Sequence, residues 1–308
     1  MKMIKNRFLT LYFLLFLGFT YTDTQAQKVA TSTLQFLKVM PSARAAAMGD
    51  AYGAMAWGLD AVFWNPGGVA GITSHEFSST YTMWLFDTKQ YALAYGLSLD
   101  DWGQFALQFQ MTDVGEIKET RVDMVGSDFW TTGIYNDGYT GRVFEPLSLC
   151  FGVTYAKMLT NEFSAGLTMK YVYESLFSEK SITIINTYGQ PEEMRTYTRA
   201  MLFDFGMKFN TGYRTIQIGA AIQNFGADVK FAREDYPAPM ILRLGIKGDL
   251  AGQNALLYES QNNRITIDYD MIQPNDYTRQ AHLGLEYSLM EAVAIRAGYK
   301  FNYDSDGL

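Results

Sequence analysis

From Leu147 onward every second residue is large and apolar: Leu147, Leu149, Phe151, Val153 and Tyr155. Between them stand Ser148, Cys150, Gly152, Thr154 and Ala156. A period of two is the β-strand period, so one face of such a segment is bulky and apolar and the other small or polar. The pattern returns at Phe163, Ala165, Leu167, Met169 and Tyr171, and again at Met201, Phe203, Phe205, Met207 and Phe209. Glycine gathers on the polar face, at Gly96, Gly152, Gly166, Gly206, Gly219, Gly245, Gly284 and Gly298. Glycine weakens a strand and packs nothing, so a solvated sheet face has little use for it. A crowded barrel lumen does, because a plug must come close to the wall. The pattern predicts an all-β transmembrane barrel, with lipid outside and a polar interior.

Composition agrees. Charged residues are 19% of the chain and aromatics 15%, whereas a soluble domain carries roughly 25% charge. The mean hydropathy of -0.09 is too low for a bundle of membrane helices and ordinary for a barrel with a polar lumen. At the N-terminus Lys2, Lys5 and Arg7 precede an apolar run from Phe8 to Phe19, followed by Thr24-Gln25-Ala26. The run falls short of the roughly 20 residues that span a bilayer, so 1–26 reads as an export signal. The one cysteine, Cys150, leaves no intramolecular disulfide and no cysteine metal cluster. A net charge of -7 argues against a nucleic-acid partner.

Strand-like segments fall at 74–85, 88–99, 103–113, 145–157, 162–175, 199–209, 214–225, 240–250, 263–272, 279–289 and 293–303. Tight joins follow the second, fourth, sixth and tenth, and long ones (114–144, 176–198, 226–239) follow the third, fifth and seventh. Outer-membrane barrels alternate in this way, with the short turns in the periplasm; the short stretch after the first segment and the medium connection at 251–262 after the eighth fit this less well. Eleven is odd, whereas single-chain bacterial barrels have even strand numbers and an open edge is not tolerated in lipid. The barrel is therefore expected to continue beyond Leu308, and three further strands would make fourteen.

Residues 27–72 do not read as wall, and 73–308 do. The alanine-rich run Ala43 to Met48 is helix-prone but too short to be stable alone, so the lumen is expected to hold it. Asn65-Pro66-Gly67-Gly68 is turn chemistry and should fold the segment back toward the first strand. Arg44, a charge entering the lumen, needs a partner, with Asp204, Asp268, Asp270 and Glu286 as candidates. Leu242, Leu244, Ile246, Ile265, Ile267 and Tyr269 should face lipid; Arg243, Lys247, Asp268 and Asp270 should face inward.

The run Ser42-Ala43-Arg44-Ala45-Ala46-Ala47-Met48-Gly49, followed by Trp64-Asn65-Pro66-Gly67-Gly68, resembles the N-terminal hatch signature of the PorV/PorQ family, within the wider FadL-like barrels. Gly67 stands where that family usually has alanine. Gln223-Asn224-Phe225-Gly226, Pro237-Ala238-Pro239-Met240 and Arg296-Ala297-Gly298-Tyr299-Lys300-Phe301 extend the resemblance over essentially the whole mature chain. It implies a fourteen-stranded barrel with an N-terminal plug, in whose hatch motif Arg44, Gly49, Trp64, Asn65, Pro66 and Gly67 take part. It also implies an outer-membrane component of the type IX secretion system of Bacteroidota, which binds the translocon barrel and the C-terminal signal domains of secreted cargo. A FadL-like transporter of long-chain fatty acids or other hydrophobic molecules is the alternative, and fold analogy alone does not choose between them. The transporter reading requires an apolar tunnel and a gap in the wall. Either protein would sit among membrane lipid and lipopolysaccharide.

No catalytic centre is expected, nor any cofactor or metal. The histidines are His75 and His282. His282 is expected to be a lumen residue hydrogen-bonded to the plug. Ser288 shares its face, but six residues along a strand is about 20 Å at roughly 3.3 Å per residue, too far for a nucleophile and its base. In the loop 114–144, Phe129, Trp130, Tyr135 and Tyr139 form a candidate partner-binding surface, although aromatics also mark membrane interfaces.

Overall fold

A computed structural model describes residues 31–84, 87–125, 137–177, 181–185, 190–231 and 234–302. The export signal expected at 1–26, and Phe129, Trp130 and Tyr135, lie outside them. Eleven strands form the wall: β1 (Glu76–Met83), β2 (Lys89–Ser98), β3 (Gln104–Asp113), β4 (Leu147–Met158), β5 (Phe163–Ser175), β6 (Tyr197–Asn210), β7 (Gln217–Phe225), β8 (Ile241–Gly252), β9 (Asn263–Pro274), β10 (Gln280–Leu289) and β11 (Val293–Phe301). They are ordered in the sheet as in the chain, each antiparallel to the next. Among the described residues β1 and β11 each pair on one side only. No described helix is long and apolar enough to cross a membrane.

Burial follows the two-residue period. Along β2 exposed and buried residues alternate, with Tyr91, Leu93 and Tyr95 outward and Ala92 and Ala94 inward. On β8 and β9, Leu244 and Ile246 are exposed while Arg243, Asp268 and Asp270 are buried. Water would not stabilise so apolar an exterior; lipid does.

The hairpin-bearing joins all lie at one end of the wall, which also carries the short joins after β1 and β9. Beyond β3, β5 and β7 the chain makes hairpins, at Ile117–Val125 with Asp137–Phe144, Ser181–Ile185 with Pro191–Arg195, and Val229–Phe231 with Glu234–Tyr236. At the opposite end the turns after β2, β4, β6 and β10 are compact, as in Asp100–Trp102 after β2, and only the connection from Gly252 to Asn263 is longer.

Residues 31–72 descend through the interior. A 3-10 turn at Gln35–Lys38 comes first, then the helix α1 (Ala43–Ala47), then 3-10 turns at Leu59–Phe63 and Pro66–Gly71 that lead into β1. Ser42 caps α1, its hydroxyl accepting from the Ala45 amide. A five-residue helix has little stability of its own, so its contacts hold it. Met48, Tyr52, Met55, Leu59, Val62, Phe63, Trp64, Val69 and Ile72 form the plug's core and pack on the small inward residues Ala92, Ala94, Ala106 and Ala156.

Candidate functional site

The interface between plug and wall is the most elaborated part of the molecule. A Cβ added at Gly166 would come within 2.3 Å of the Pro66 carbonyl oxygen, and one at Gly206 within 2.3 Å of Asn65 Oδ1. At Gly219 it would meet the Gly53 oxygen at 2.5 Å, and at Gly298 the Met48 carbon at 2.0 Å. Gly96, Gly245 and Gly284 likewise face Ile72, Ala54 and Met48; Gly152 instead abuts Gln108 of the wall. Gly166, Gly219 and Gly298 are thus contact points for plug backbone, while Gly96 receives the side chains of Ile72 and Leu59.

The hatch residues occupy these contacts. Asn65 is wholly buried; its Nδ2 donates to the Gly53 oxygen (3.1 Å) and the Met207 oxygen (3.0 Å), and its Oδ1 accepts from the Gly67 amide (3.0 Å). One side chain thereby ties plug to plug and plug to wall. Pro66 opens the turn whose backbone fills the space left by Gly166 and Gly206. Gly67 has no room for a methyl group, which would stand 2.7 Å from Met207 Cα; this is a physical reason for glycine at this position. Trp64 is buried edge-on to Tyr52 and under the Arg243 guanidinium, 4.8 Å from its ring centre. Gly49 has φ +63° and lies against the Tyr299 amide.

Charges complete the interface. Arg44 forks onto Glu286 (2.8 and 2.7 Å), which Arg296 also holds at 2.6 Å. The other three acids considered for Arg44 are engaged elsewhere. Asp270 Oδ2 accepts from the Tyr52 and Gly53 amides (3.0 and 2.7 Å) and from Arg243 (3.0 Å); Asp268 accepts from the Met55 amide (3.1 Å). Asp204 pairs with Lys170 at 2.6 Å. Lys208 donates to the Ala56 oxygen at 2.7 Å, and Lys300 pairs with Asp50. His282 is buried opposite Asp270 in register but, contrary to expectation, its ring makes no hydrogen bond of normal length. Burial drives the Tyr52 phenol up to about 12, although Arg44 pulls the other way.

At the hairpin end the interior changes character. Cys150, Val172 and Leu202, on the inner faces of β4, β5 and β6, are apolar and buried, and with Val229 and Ala238 they enclose Leu34, Phe36 and Leu37. The chain's own N-terminal segment fills an apolar pocket at the mouth of a lumen that is otherwise lined by charges and alanines. Asp276, in the turn after β9, clasps this segment, accepting from Ser32, from Gln35 (3.1 Å) and from Lys38 (2.6 Å). Burial alone would raise the Asp276 carboxyl, but the bonds from Lys38, Ser32 and Gln35 prevail and hold it below the usual aspartate range. The Thr33 amide donates to the Pro237 oxygen at 3.2 Å, and Gln90 to the Val39 oxygen at 2.9 Å. Sequence reasoning missed Asp276, since nothing in a turn of this kind marks it. It also missed that Asn224 enters the lumen.

Of the candidate loop aromatics, Tyr139 lies on the first hairpin, half-exposed, with Lys118 Nζ 5.6 Å from its ring centre. The wall ladders from β1 to β11 run without a break, interrupted only by register shifts at Phe203/Phe205 and Asp249/Ala251. No side exit opens between consecutive strands from β1 to β11, while β1 and β11 are not paired with each other among the described residues. No described group of three or more His, Cys, Asp or Glu is placed to hold a metal ion.

No family model matches the sequence, and no curated protein matches it. Among solved structures, the Pseudomonas putida toluene transporter TodX is similar over 84% of this chain and 83% of its own, at 12% identity and a TM-score of 0.49. The CymD monoaromatic hydrocarbon channel is similar over 85% and 93%, at 8% identity and a TM-score of 0.41.

Proposed function

We propose that this chain is a plugged outer-membrane barrel of FadL-like type that handles small hydrophobic molecules, seen here in its closed arrangement. The observation that supports it is the apolar pocket at the hairpin end. A lumen that only had to be sealed could stay polar throughout. Here Cys150, Val172, Leu202, Val229 and Ala238 make an apolar recess, and Leu34, Phe36 and Leu37 occupy it as a ligand would. Pockets for small apolar ligands are concave, largely hydrophobic and bounded by a few polar groups; Lys170, Asp204 and Asn224 form such a boundary just below.

Purified barrel in detergent, titrated with an environment-sensitive apolar fluorophore and competed with toluene and a medium-chain fatty acid, tests the reading. Leu34→Ala with Phe36→Ala should vacate the pocket and raise probe affinity several-fold. Affinity unchanged by these substitutions would overturn it. Type IX secretion, which rests on the motif resemblance, would be favoured instead if the protein drew down a translocon and cargo signal domains while gene loss left uptake of hydrophobic molecules intact.

A further inference from the structure

β7 carries an irregularity that brings three reactive groups together. Phe225 pairs with Phe203 and Ile222 with Phe205, so two residues, Gln223 and Asn224, stand opposite Asp204 alone. Asn224 takes a left-handed conformation, φ 57°. Strict alternation would turn one of the two outward; the bulge instead buries both, each 1% exposed. Bulges re-aim side chains in this way at the cost of ladder hydrogen bonds.

Its effect is to bring the Asn224 carboxamide against an amine and a carboxylate. Lys170 Nζ, on β5, lies 3.0 Å from Asn224 Oδ1 and 2.6 Å from Asp204 Oδ2. Asp204 Oδ1 accepts from the Asn224 amide at 2.7 Å and so fixes the bulge, while Asn224 Nδ2 donates to the Pro239 oxygen at 3.2 Å. Lys170 is 6% exposed, Asp204 0% and Asn224 1%. Val172 and Leu202, two residues along the same faces, close the site with apolar surface. A lysine, a carboxamide and a carboxylate held in mutual contact and shielded from water are what an amide exchange requires. Holding the groups in contact supplies the effective concentration such a slow reaction needs.

We propose that Lys170 and Asn224 join in an isopeptide bond, with Asp204 carrying the protons, so that β5 is fastened to β7 across β6. Asp204 takes a proton from the Lys170 ammonium. The freed amine no longer donates to Oδ1, and its lone pair attacks Asn224 Cγ, forming the new C–N bond and a tetrahedral centre. Asp204 moves a proton from the attacking nitrogen to the departing one; the old C–N bond breaks and ammonia leaves toward Pro239. Lysine and asparagine end as one secondary amide, the last proton rests on Asp204 and is lost to solvent, and nothing is oxidised or reduced. A desolvated lysine is a recognised nucleophile, and a preorganised carboxylate is its expected proton carrier.

Tryptic mapping of the full chain, purified from membranes, by tandem mass spectrometry decides the matter. Trypsin should not cut after Lys170, and the segment 158–180 should be recovered joined to 215–230, lighter than their sum by one ammonia. Lys170→Arg should yield only linear peptides, and Asp204→Ala should lose most of the branched species while retaining both reacting side chains. Wild-type protein cut normally after Lys170, with both peptides linear, would overturn the proposal whatever the variants did. A branched species undiminished in Asp204→Ala would overturn the role given to Asp204.

Discussion

The two parts of the N-terminal segment are held in different ways. From Ala43 to Ile72 the plug is fastened largely through its backbone: amides of Tyr52, Gly53 and Met55 donate to wall carboxylates, and Gly166, Gly219 and Gly298 of the wall leave room only for main chain. Residues 31–39 are held chiefly by side chains, three apolar groups in a pocket and four polar ones on Asp276 and Glu174. Backbone seated against a Cβ-free wall has no alternative position of similar energy, because interiors are bistable rather than continuously deformable. Side chains in a pocket can be replaced by a ligand of like chemistry. The contrast makes the outer segment the one expected to move and the inner one the one expected to stay seated.

Asp270→Ala puts this contrast under the greatest strain. It removes the acceptor of two plug amides and leaves the Arg243 charge buried without its partner, a loss of about 3–5 kcal/mol by analogy with severed buried ion pairs. The barrel should lose heat resistance on gels and the 52–55 backbone should exchange its amide hydrogens faster, while 31–39 keeps its protection. Equal loosening of both segments would refute their independence. Asn65→Ala should come next, at about 2–3 kcal/mol, because the Gly53 and Met207 carbonyls and the Gly67 amide are left without this partner in a dry site. Gly206→Ala is expected to cost about 1–3 kcal/mol through overpacking against Asn65 and Pro66, read as a lowered unfolding temperature. If it were neutral, the wall would be softer than the glycine contacts imply.

Much of this rigid half was legible in the sequence. The eleven wall segments emerge from the two-residue period alone, which survives because lipid and lumen demand opposite chemistry at neighbouring positions. Glycines on the polar face pointed to close approach, and Asn65-Pro66 to a turn. Arg44's partner was not decidable: all four candidate acids do face inward, and only the seating of the plug selects Glu286. Asn224 was illegible for a different reason. A bulge inserts one residue into the alternation, so a face assignment carried through β7 misplaces every position beyond the insertion. The apolar mouth pocket also escaped, since residues 31–39 show no period of their own and reveal their role only beside Val172 and Leu202.

The mildest consequence concerns the clasp on the outer segment. Lys38→Ala leaves Asp276 with Ser32 and Gln35, and should weaken docking of 31–39 by about 1 kcal/mol, since the lysine is partly exposed. Acid titration makes the expectation more specific. Asp276 is held below the ordinary aspartate value, so its contribution is complete above that value, roughly 3.9, and is lost only as pH falls through the lower native one. Docking should therefore be indifferent to pH between about 5 and 8 as far as this carboxyl is concerned. A nitroxide on Thr31→Cys, in a Cys150→Ala background, would report the mobility of the segment as the solution is acidified. Release should occur in strongly acid solution in the parent, and at a higher pH once Lys38 is gone, because the bond that depresses Asp276 has been removed. Coincident midpoints would mean that Asp276 is not what holds the segment, and that the apolar pocket alone does.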